Sequence, residues 1–228
     1  MAATNLPELW EWAEYYCPWC YIAAVRLHAI RPEYEGRVKL RLRPFPLEAL
    51  GGEPAPRDIL EQEWWLAAVQ EPRAAFVPFT APDWPTTTLP AFDAVWCATQ
   101  LNEAAAYDYD LNIRRAFFAE SRDIGRREVL LEIAGQSGLD LPPFTRMFDS
   151  GEARAHILEE GRMGKERYGV RGTPTLMQGD GTKLHHPIAE PKMRRRKIVG
   201  ISALPCHGEG CLEATRGLFE QVLREDRE

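Results

Sequence analysis

The tetrapeptide Cys17-Pro18-Trp19-Cys20 decides the fold of this chain, because it joins a strand-like segment to a helix-like one. The aromatic-rich stretch 9–16 before it is typical of a strand, and the apolar stretch 21–30 after it has the length and spacing of a helix. Pro18 suits the first helical position, where its missing N–H would have no helical partner. The tetrapeptide therefore predicts a strand, a turn and a helix, with Cys17 at the helix start.

This placement predicts different roles for the two thiols. The backbone N–H groups of a first helical turn favour a thiolate at the helix start, and the spacing Cys-x-x-Cys is typical of cysteines with a lowered pKa. A thiolate is the nucleophile in thiol–disulfide exchange. Cys17 is therefore the predicted attacking sulfur, and Cys20, one turn further along and on the more buried side, is the predicted resolving thiol.

Length and composition indicate a globular protein with one large domain or a domain that carries an insertion. The chain has 228 residues, 45% of them hydrophobic, and a net charge of −6. No apolar run approaches the roughly 20 residues that span a bilayer, and the N-terminus lacks leader features, so we expect a cytoplasmic protein without a membrane partner. The acidic charge and only 5 cysteines argue against a nucleic-acid binder and against a disulfide-stapled secreted scaffold.

Beyond the first helix, the pattern predicts the rest of a β-α-β unit and then a helical segment. Residues 37–43 alternate strictly between apolar and basic side chains, as in a half-buried strand near a sheet edge. Gly- and Pro-rich sequence ends this unit at about residue 54. From 57 to 168 the pattern predicts five helices, with an irregular loop at 72–85, and a strand pattern returns at 169–177.

Pro174 stands immediately before that last strand. Proline has no backbone N–H and therefore cannot donate a hydrogen bond to a neighbouring strand. A cis Thr173–Pro174 bond would turn the Thr173 backbone outward, where it can pair with an extended substrate. A trans turn before an edge strand is the alternative, but the Cys-x-x-Cys motif upstream favours cis. We expect Thr173, Pro174 and Trp19 to contact the substrate.

Together these features resemble the thioredoxin superfamily, specifically the DsbA family and its cytoplasmic FrnE-like branch. The branch is similar through segments 16–21, 43–47 and 116–130, and the resemblance covers nearly the whole chain. It implies an α/β thioredoxin-like fold with a large all-helical insertion, which divides the chain into a thioredoxin-like domain (1–54 and 170–228) and a helical insertion domain (55–169).

The same resemblance implies a thiol–disulfide oxidoreductase or isomerase without an organic cofactor. In that family Cys17 would be the nucleophile, Cys20 the resolving thiol and Pro174 the cis-proline beside them. Periplasmic DsbA proteins carry His where this chain has Trp19, and an imidazolium stabilises a neighbouring thiolate whereas an indole does not. We therefore expect a less oxidising protein. Related kappa-class glutathione transferases and hydroxychromene-carboxylate isomerases carry Ser at the position of Cys17, so the presence of both cysteines favours redox turnover.

A second cysteine pair, Cys206 and Cys211, stands near the C-terminus with two glycines between its members. This spacing can bring the Cα atoms within the roughly 4.4 to 6.8 Å that a disulfide needs. The pair is either a second redox pair that relays oxidising equivalents to Cys17 and Cys20, or a static bridge, or two reduced thiols. A zinc site formed by the four thiols competes with these readings, but zinc turns usually lie on short knuckles, so we expect no metal.

Several other residues have a structural explanation beside a functional one. Cys97 stands on an apolar helix and is predicted to be a buried small hydrophobe. The basic run 192–197 could attract an acidic partner or nucleic acid, but in an acidic chain it is more typical of a solvated loop. Trp64 and Trp65 either line a substrate groove or pack between helices.

The leading hypothesis is a dithiol–disulfide oxidoreductase or isomerase that acts on protein thiols and disulfides, with small thiols such as glutathione as further partners. One alternative is a glutathione-dependent isomerase or transferase of the kappa-class or hydroxychromene-carboxylate type. Another is a zinc- or redox-regulated chaperone whose helical insertion binds unfolded chains. Reduction of a protein disulfide that depends on Cys17 separates the first hypothesis from the other two.

Overall fold

A four-stranded sheet lies at the centre of the protein, whose computed structural model describes residues 6–52, 56–195 and 197–225. Its strands are β1 (Glu8–Ala13), β2 (Lys39–Pro44), β3 (Thr175–Gln178) and β4 (Lys183–Leu184), in the order β2-β1-β3-β4. β1 is parallel to β2 and antiparallel to β3, which is antiparallel to β4. The edge position predicted for the alternating stretch 37–43 is confirmed, because β2 is an edge strand.

Eight α-helices are found within the described ranges, and six of them stand between β2 and β3 in the chain. They are α1 (Pro18–Ile30), α2 (Arg57–Gln70), α3 (Leu89–Leu101), α4 (Glu103–Glu120), α5 (Arg127–Gln136), α6 (Leu141–Ser150), α7 (Glu152–Glu166) and α8 (Glu209–Glu225). α1 packs against α2, α4 and α8. None of the helices in these ranges is long and apolar enough to cross a membrane.

The prediction of five helices between 57 and 168 is wrong, because α6 was not anticipated. Its sequence begins with Pro142 and Pro143, which suggest a break in a helical pattern. Proline is tolerated in a first helical turn, where the N–H groups have no helical partner, and this is where both prolines lie. Phe144 then anchors the helix, since its side chain is completely buried.

The basic run 192–197 forms a hairpin and not the solvated loop expected from the sequence. Strands β5 (Pro191–Arg194) and β6 (Lys197–Ile201) pair antiparallel in a two-stranded sheet that is separate from the central one. Arg196 lies outside the described residues. The backbone N–H of Ile198 donates a hydrogen bond of 3.0 Å to Gln62 Oε1, which attaches the hairpin to α2.

The main hydrophobic core is shared by α1 and the helices that follow β2. Trp19 and Ile22 of α1 belong to the same buried cluster as Trp64 of α2 and Phe118 of α4. Tyr21 stacks on Phe118 with ring centroids 5.0 Å apart. The helix that begins at Cys17 is therefore held by side chains from the helical segment. The division into two domains at residues 54 and 170 stays a prediction.

Gly164 allows α7 to pack closely on the sheet. An added Cβ at this position would lie 2.6 Å from the ring of Trp12, which is completely buried in β1. We expect Gly164→Ala to lower the free energy of unfolding by about 1 to 3 kcal/mol, because overpacking outweighs the better helix propensity of alanine. Gly217→Ala in α8, where an added Cβ meets nothing within 4 Å, is the matched control. Urea denaturation that shows equal stabilities for the two variants would contradict this interpretation.

Candidate active site

The two cysteines of the tetrapeptide lie at the N-terminal end of α1. Cys17 has an extended backbone (φ −80°, ψ 112°), and its carbonyl accepts hydrogen bonds from the N–H groups of Cys20 (3.1 Å) and Tyr21 (3.2 Å). Pro18 occupies the first helical turn without loss of a helical hydrogen bond. Cys17 is partly exposed and Cys20 is completely buried. The predicted positions of the two thiols are therefore confirmed.

The Thr173–Pro174 peptide bond is cis, as predicted from the sequence, and it lies beside Cys17. The Cys17 thiol donates to the Thr173 carbonyl oxygen across 3.4 Å. The two segments meet because β3 begins directly after Pro174 and pairs antiparallel with β1, with Thr175 opposite Trp12. Cys17 and Thr173 therefore lie side by side, and both are partly exposed. The substrate contacts of Thr173 and Pro174 stay a prediction.

The pKa values of the two thiols shift in opposite directions. Burial raises the pKa of Cys17, but hydrogen bonds from the Cys20 thiol, from the Cys20 backbone N–H and from the Thr173 side chain outweigh it, so this pKa is lowered. Burial, the hydrogen bond to Cys17 and the charge of the Cys17 thiolate raise the pKa of Cys20 well above its usual value. The pair therefore favours a thiolate on Cys17 and a protonated thiol on Cys20, as a nucleophile and a resolving thiol require.

Trp19 lies against α2, where its indole N–H donates to Glu63 Oε2 across 3.1 Å. Only 6% of the Trp19 surface is exposed. Burial raises the pKa of Glu63 although the bond to Trp19 opposes this, and the negative charge of Glu63 raises the pKa of Cys17. The charge of Glu63 therefore acts against the Cys17 thiolate. The lower oxidising power expected from Trp19 stays a prediction. The substrate contact of Trp19 stays a prediction.

A buried charged cluster connects α4 to the dithiol. Arg114 Nε donates to Asp110 Oδ2 (2.9 Å), the Tyr15 hydroxyl donates to Asp110 Oδ1 (2.8 Å), and Arg114 Nη1 donates to the Glu14 carbonyl oxygen (3.1 Å). The Glu14 N–H in turn donates to Cys20 Sγ across 3.4 Å. The positive charge of Arg114 lowers the pKa of Cys20, against the dominant effect of burial. This cluster was not identified from the sequence, where its signal is an Asp and an Arg four residues apart on an otherwise apolar helix face.

Glu11 of β1 is a second group that was not identified from the sequence. It is 1% exposed, and neither carboxyl oxygen has a hydrogen-bond partner among the described residues. Burial raises the pKa of Glu11 to about 8, and the charge of Arg114 opposes the shift. Glu11 lines a cavity of about 310 Å³ between β1, β2, α3 and α4, but neither Cys17 nor Cys20 lines it. We therefore place the candidate reaction site at the surface around Cys17 and not in this cavity.

The family model for the DSBA-like thioredoxin domain matches residues 8–193. The chain belongs to this family. The α/β thioredoxin-like fold class predicted from the sequence is therefore confirmed. The finer FrnE-like resemblance stays a prediction.

Relatives of this DSBA-like chain include one curated sequence and many solved structures. YwbO of Bacillus subtilis (strain 168) is 27% identical over 188 residues, which cover 74% of this chain and 85% of YwbO. The cytosolic disulfide reductase DsbM from Pseudomonas aeruginosa, solved with GSH, is similar with a TM-score of 0.69 at 22% identity and covers 95% of this chain and 99% of DsbM. A 2-hydroxychromene-2-carboxylate isomerase is similar with a TM-score of 0.60 at 16% identity, over 96% of this chain and 98% of that one. At these identities the two structures show a shared fold.

In this DSBA-like protein the second cysteine pair forms a disulfide. Cys206 and Cys211 are joined with a Cα–Cα distance of 5.0 Å, so they are not two reduced thiols in this structure. Gln70 Nε2 at the end of α2 donates to Cys206 Sγ across 3.4 Å, and Arg73 donates to the Gly208 carbonyl oxygen across 2.8 Å. The disulfide closes the loop at the start of α8, and these two hydrogen bonds connect that loop to the end of α2. Within the described ranges no group of three or more His, Cys, Asp or Glu side chains is arranged to hold a metal ion.

The Cys206–Cys211 bridge is expected to add to the stability of the protein. Loss of a disulfide that closes so short a loop should lower the free energy of unfolding by about 2 kcal/mol. We expect this loss in the Cys206→Ala/Cys211→Ala variant and expect Cys17 to remain reactive toward a thiol reagent. Urea denaturation with and without reductant measures the effect. A wild-type stability that does not respond to reductant, with both thiols shown to be free, would contradict the expectation.

Proposed function

We propose that the protein is a thiol–disulfide oxidoreductase or isomerase that acts on protein disulfides through Cys17 and Cys20. The observation that carries the proposal is the partly exposed Cys17 sulfur with a lowered pKa, 3.4 Å from the Thr173 carbonyl oxygen at the cis bond. The buried Cys20 thiol lies within hydrogen-bond reach of it. These groups supply a nucleophile, a resolving thiol and a backbone edge for substrate.

The reaction starts from the reduced protein. The Cys17 thiolate attacks one sulfur of a substrate disulfide, a bond forms between the two sulfurs, and the other substrate sulfur leaves as a thiolate. Cys20 then loses its proton and attacks Cys17 Sγ, which releases the second substrate thiolate. The substrate has gained two electrons and the enzyme holds a Cys17–Cys20 disulfide. Two equivalents of a small thiol such as glutathione reduce this disulfide and are themselves oxidised to a disulfide.

Isomerisation uses the same first step without net electron transfer. When another thiol of the substrate attacks the mixed disulfide at the substrate sulfur, Cys17 leaves as a thiolate and the substrate has exchanged one disulfide for another. The GSH named with the DsbM structure supports a small thiol as a partner, and the cytosolic location in its name supports the cytoplasm as the compartment. We therefore propose a small thiol as a partner of this protein and the cytoplasm as its compartment.

The Cys206–Cys211 bridge is proposed as a second redox pair that exchanges through a mobile thiol. Its contact with α2 is at Gln70, whereas Trp19 contacts Glu63, seven residues earlier on the same helix. Seven helical residues span roughly 10 Å, so the two sulfur pairs are not adjacent along α2. A small thiol or a second protein molecule would have to carry electrons between them. The structural role of the bridge and this relay role are compatible.

A glutathione-dependent isomerase or transferase is the second candidate, because the fold is shared with a 2-hydroxychromene-2-carboxylate isomerase. Reduction of insulin and refolding of scrambled ribonuclease decide between them. We expect the protein to accelerate both reactions in the presence of dithiothreitol or a glutathione buffer. Glutathione-dependent turnover of a small organic substrate without acceleration of either protein reaction would favour the second candidate. Suppression of aggregation without any thiol-dependent activity would favour a chaperone.

A further inference from the structure

A group of exposed basic and apolar side chains lies on the hairpin β5–β6 and on the adjoining face of α2. We call it the basic hairpin surface. It consists of Lys192, Arg194, Arg195 and Lys197 of the hairpin with Trp65 and Val69 of α2.

The basic hairpin surface borders the helix that flanks the dithiol. Glu63 of α2 accepts the hydrogen bond from Trp19 inside the tetrapeptide. The preceding residue, Gln62, accepts the hydrogen bond from the backbone of Ile198 in β6. Neighbouring residues of one helix therefore touch the Cys-x-x-Cys motif and the hairpin. A polypeptide bound at Cys17 could extend along α2 to the hairpin.

Apolar side chains are unusually exposed at this place. Trp65 and Val69 follow Gln62 by three and seven residues, so they lie on the side of α2 that faces the hairpin. They are 50% and 54% exposed, and Met193 and Val199 of the hairpin are 44% and 62% exposed. These four are half of the eight large hydrophobic side chains that are exposed in the described part of the chain. Their concentration in one area is typical of an interaction surface.

The positive charges of the basic hairpin surface have no carboxylate partner among the described residues. Its four basic side chains are all exposed. Several surface arginines elsewhere are paired, such as Arg127 with Asp149 and Arg216 with Glu33. In a chain of net charge −6, these four side chains therefore form a local concentration of positive charge. Such a site attracts a partner of negative charge.

We propose that the basic hairpin surface docks an acidic segment of a protein substrate, with apolar residues of that segment on Trp65 and Val69. A short acidic segment meets only the local positive field, whereas a nucleic acid or an anionic membrane also meets the net negative charge of the whole protein. Charge complementarity and the exposed apolar side chains thus favour a polypeptide. The role in substrate choice rests on the proposed function, whereas the docking itself does not require turnover.

Charge reversal on the hairpin tests the role in substrate choice. The variant Arg194→Glu/Lys197→Glu is compared with the control Arg146→Glu/Arg224→Glu, which changes the net charge equally at exposed positions of α6 and α8. The substrates are two peptides with one disulfide core flanked by either Glu or Lys, and a small non-peptide disulfide. We expect kcat/KM for the Glu-flanked peptide to fall about tenfold in the hairpin variant at low salt and to fall much less in the control. The small disulfide should be reduced at the wild-type rate by both variants.

Salt and a second binding probe complete the test. At about 1 M salt the wild-type preference for the Glu-flanked peptide should disappear, because the charges are screened. Equal losses for both peptides, or equal losses in both variants, would overturn the proposal. Binding of a labelled cysteine-free Glu-rich peptide, followed by fluorescence anisotropy, should be weakened by Trp65→Ser and by the hairpin variant.

The binding measurement also separates the two proposals from each other. A wild-type protein that reduces no disulfide at all would contradict the proposed function, while salt-sensitive peptide binding at the hairpin would still support docking. Absence of peptide binding in a catalytically active protein would overturn docking alone. Phosphatidylserine vesicles and duplex DNA serve as competing probes. Binding of either one by the hairpin, without binding of the peptide, would also overturn the polypeptide assignment.

Discussion

Cys17→Ser is expected to lower the rate of protein-disulfide reduction by at least about 1,000-fold, as removal of a nucleophile does in covalent catalysis. A serine hydroxyl does not ionise near neutral pH and cannot form the sulfur–sulfur bond of the mixed disulfide. The partly exposed Cys17 is the sulfur for which the surrounding hydrogen bonds lower the pKa. Insulin reduction followed by turbidity, with wild type and variant at equal concentration, measures the loss.

Cys20→Ser is expected to fail at a different step. Cys17 remains able to attack, but no second thiol is present to release the substrate, so a covalent enzyme–substrate complex should accumulate. Non-reducing electrophoresis and mass spectrometry detect this complex. Cys97→Ser is the matched control, because Cys97 is completely buried in α3 and burial raises the pKa of its thiol to about 12. The assigned roles would be contradicted if Cys17→Ser reduced insulin at the rate of the wild-type protein. They would also be contradicted if Cys20→Ser trapped no covalent complex.

Glu11→Gln is expected to stabilise the protein relative to wild type by an amount that grows from pH 4.5 to about pH 8 and stays constant above that. Burial raises the pKa of Glu11 from 4.5 to about 8 in the folded protein. Between these two pH values the folded protein binds one more proton than the unfolded chain, so Glu11 costs about 1.4 kcal/mol of stability for each unit of pH increase. The cost is absent below pH 4.5 and complete above about pH 8. Glutamine stays neutral and has no such pH dependence.

Urea denaturation of wild type and Glu11→Gln from pH 5 to pH 9 measures this effect, with the difference between the two proteins as the quantity of interest. Other titrating groups, such as the buried Glu14, are common to both proteins and cancel in that difference. Glu35→Gln is the matched control, because it also removes one carboxyl group but at an exposed position. A stability difference between wild type and Glu11→Gln that does not change with pH would show that Glu11 is ionised in the folded protein.

Local sequence predicted where the two cysteines of the tetrapeptide lie in the fold. Cys17 lies immediately before α1, Cys20 is buried one turn later, and the Thr173–Pro174 bond is cis. The helix start depends largely on a few neighbouring residues, because their backbone preferences are steric and local. The cis bond was favoured over a trans turn because the Cys-x-x-Cys motif stands upstream. The edge position of β2 was predicted from its alternating pattern, because alternation of apolar and basic side chains indicates a half-buried strand.

Other elements were predicted wrongly where a local signal was ambiguous. Pro142 and Pro143 suggest the end of a helix, but they also fit the first turn of a helix such as α6. The basic run 192–197 suggests a solvated loop because of its charge, yet its segments pair as β5 and β6. In both places the outcome depended on a partner that is distant in the chain, namely the core around Phe144 and the contact of Ile198 with Gln62.

The sequence by itself determined the fold family and the placement of Cys17 and Cys20, one at the start of α1 and the other buried one turn later. Only the tertiary structure decided what surrounds them. Trp64 and Trp65 are adjacent and chemically identical, yet one is 1% exposed in the core and the other is 50% exposed beside the hairpin. Glu11 is an ordinary acidic residue in the sequence, but burial raises its pKa to about 8. Burial and electrostatic fields depend on distances through space, which no pattern along the chain contains.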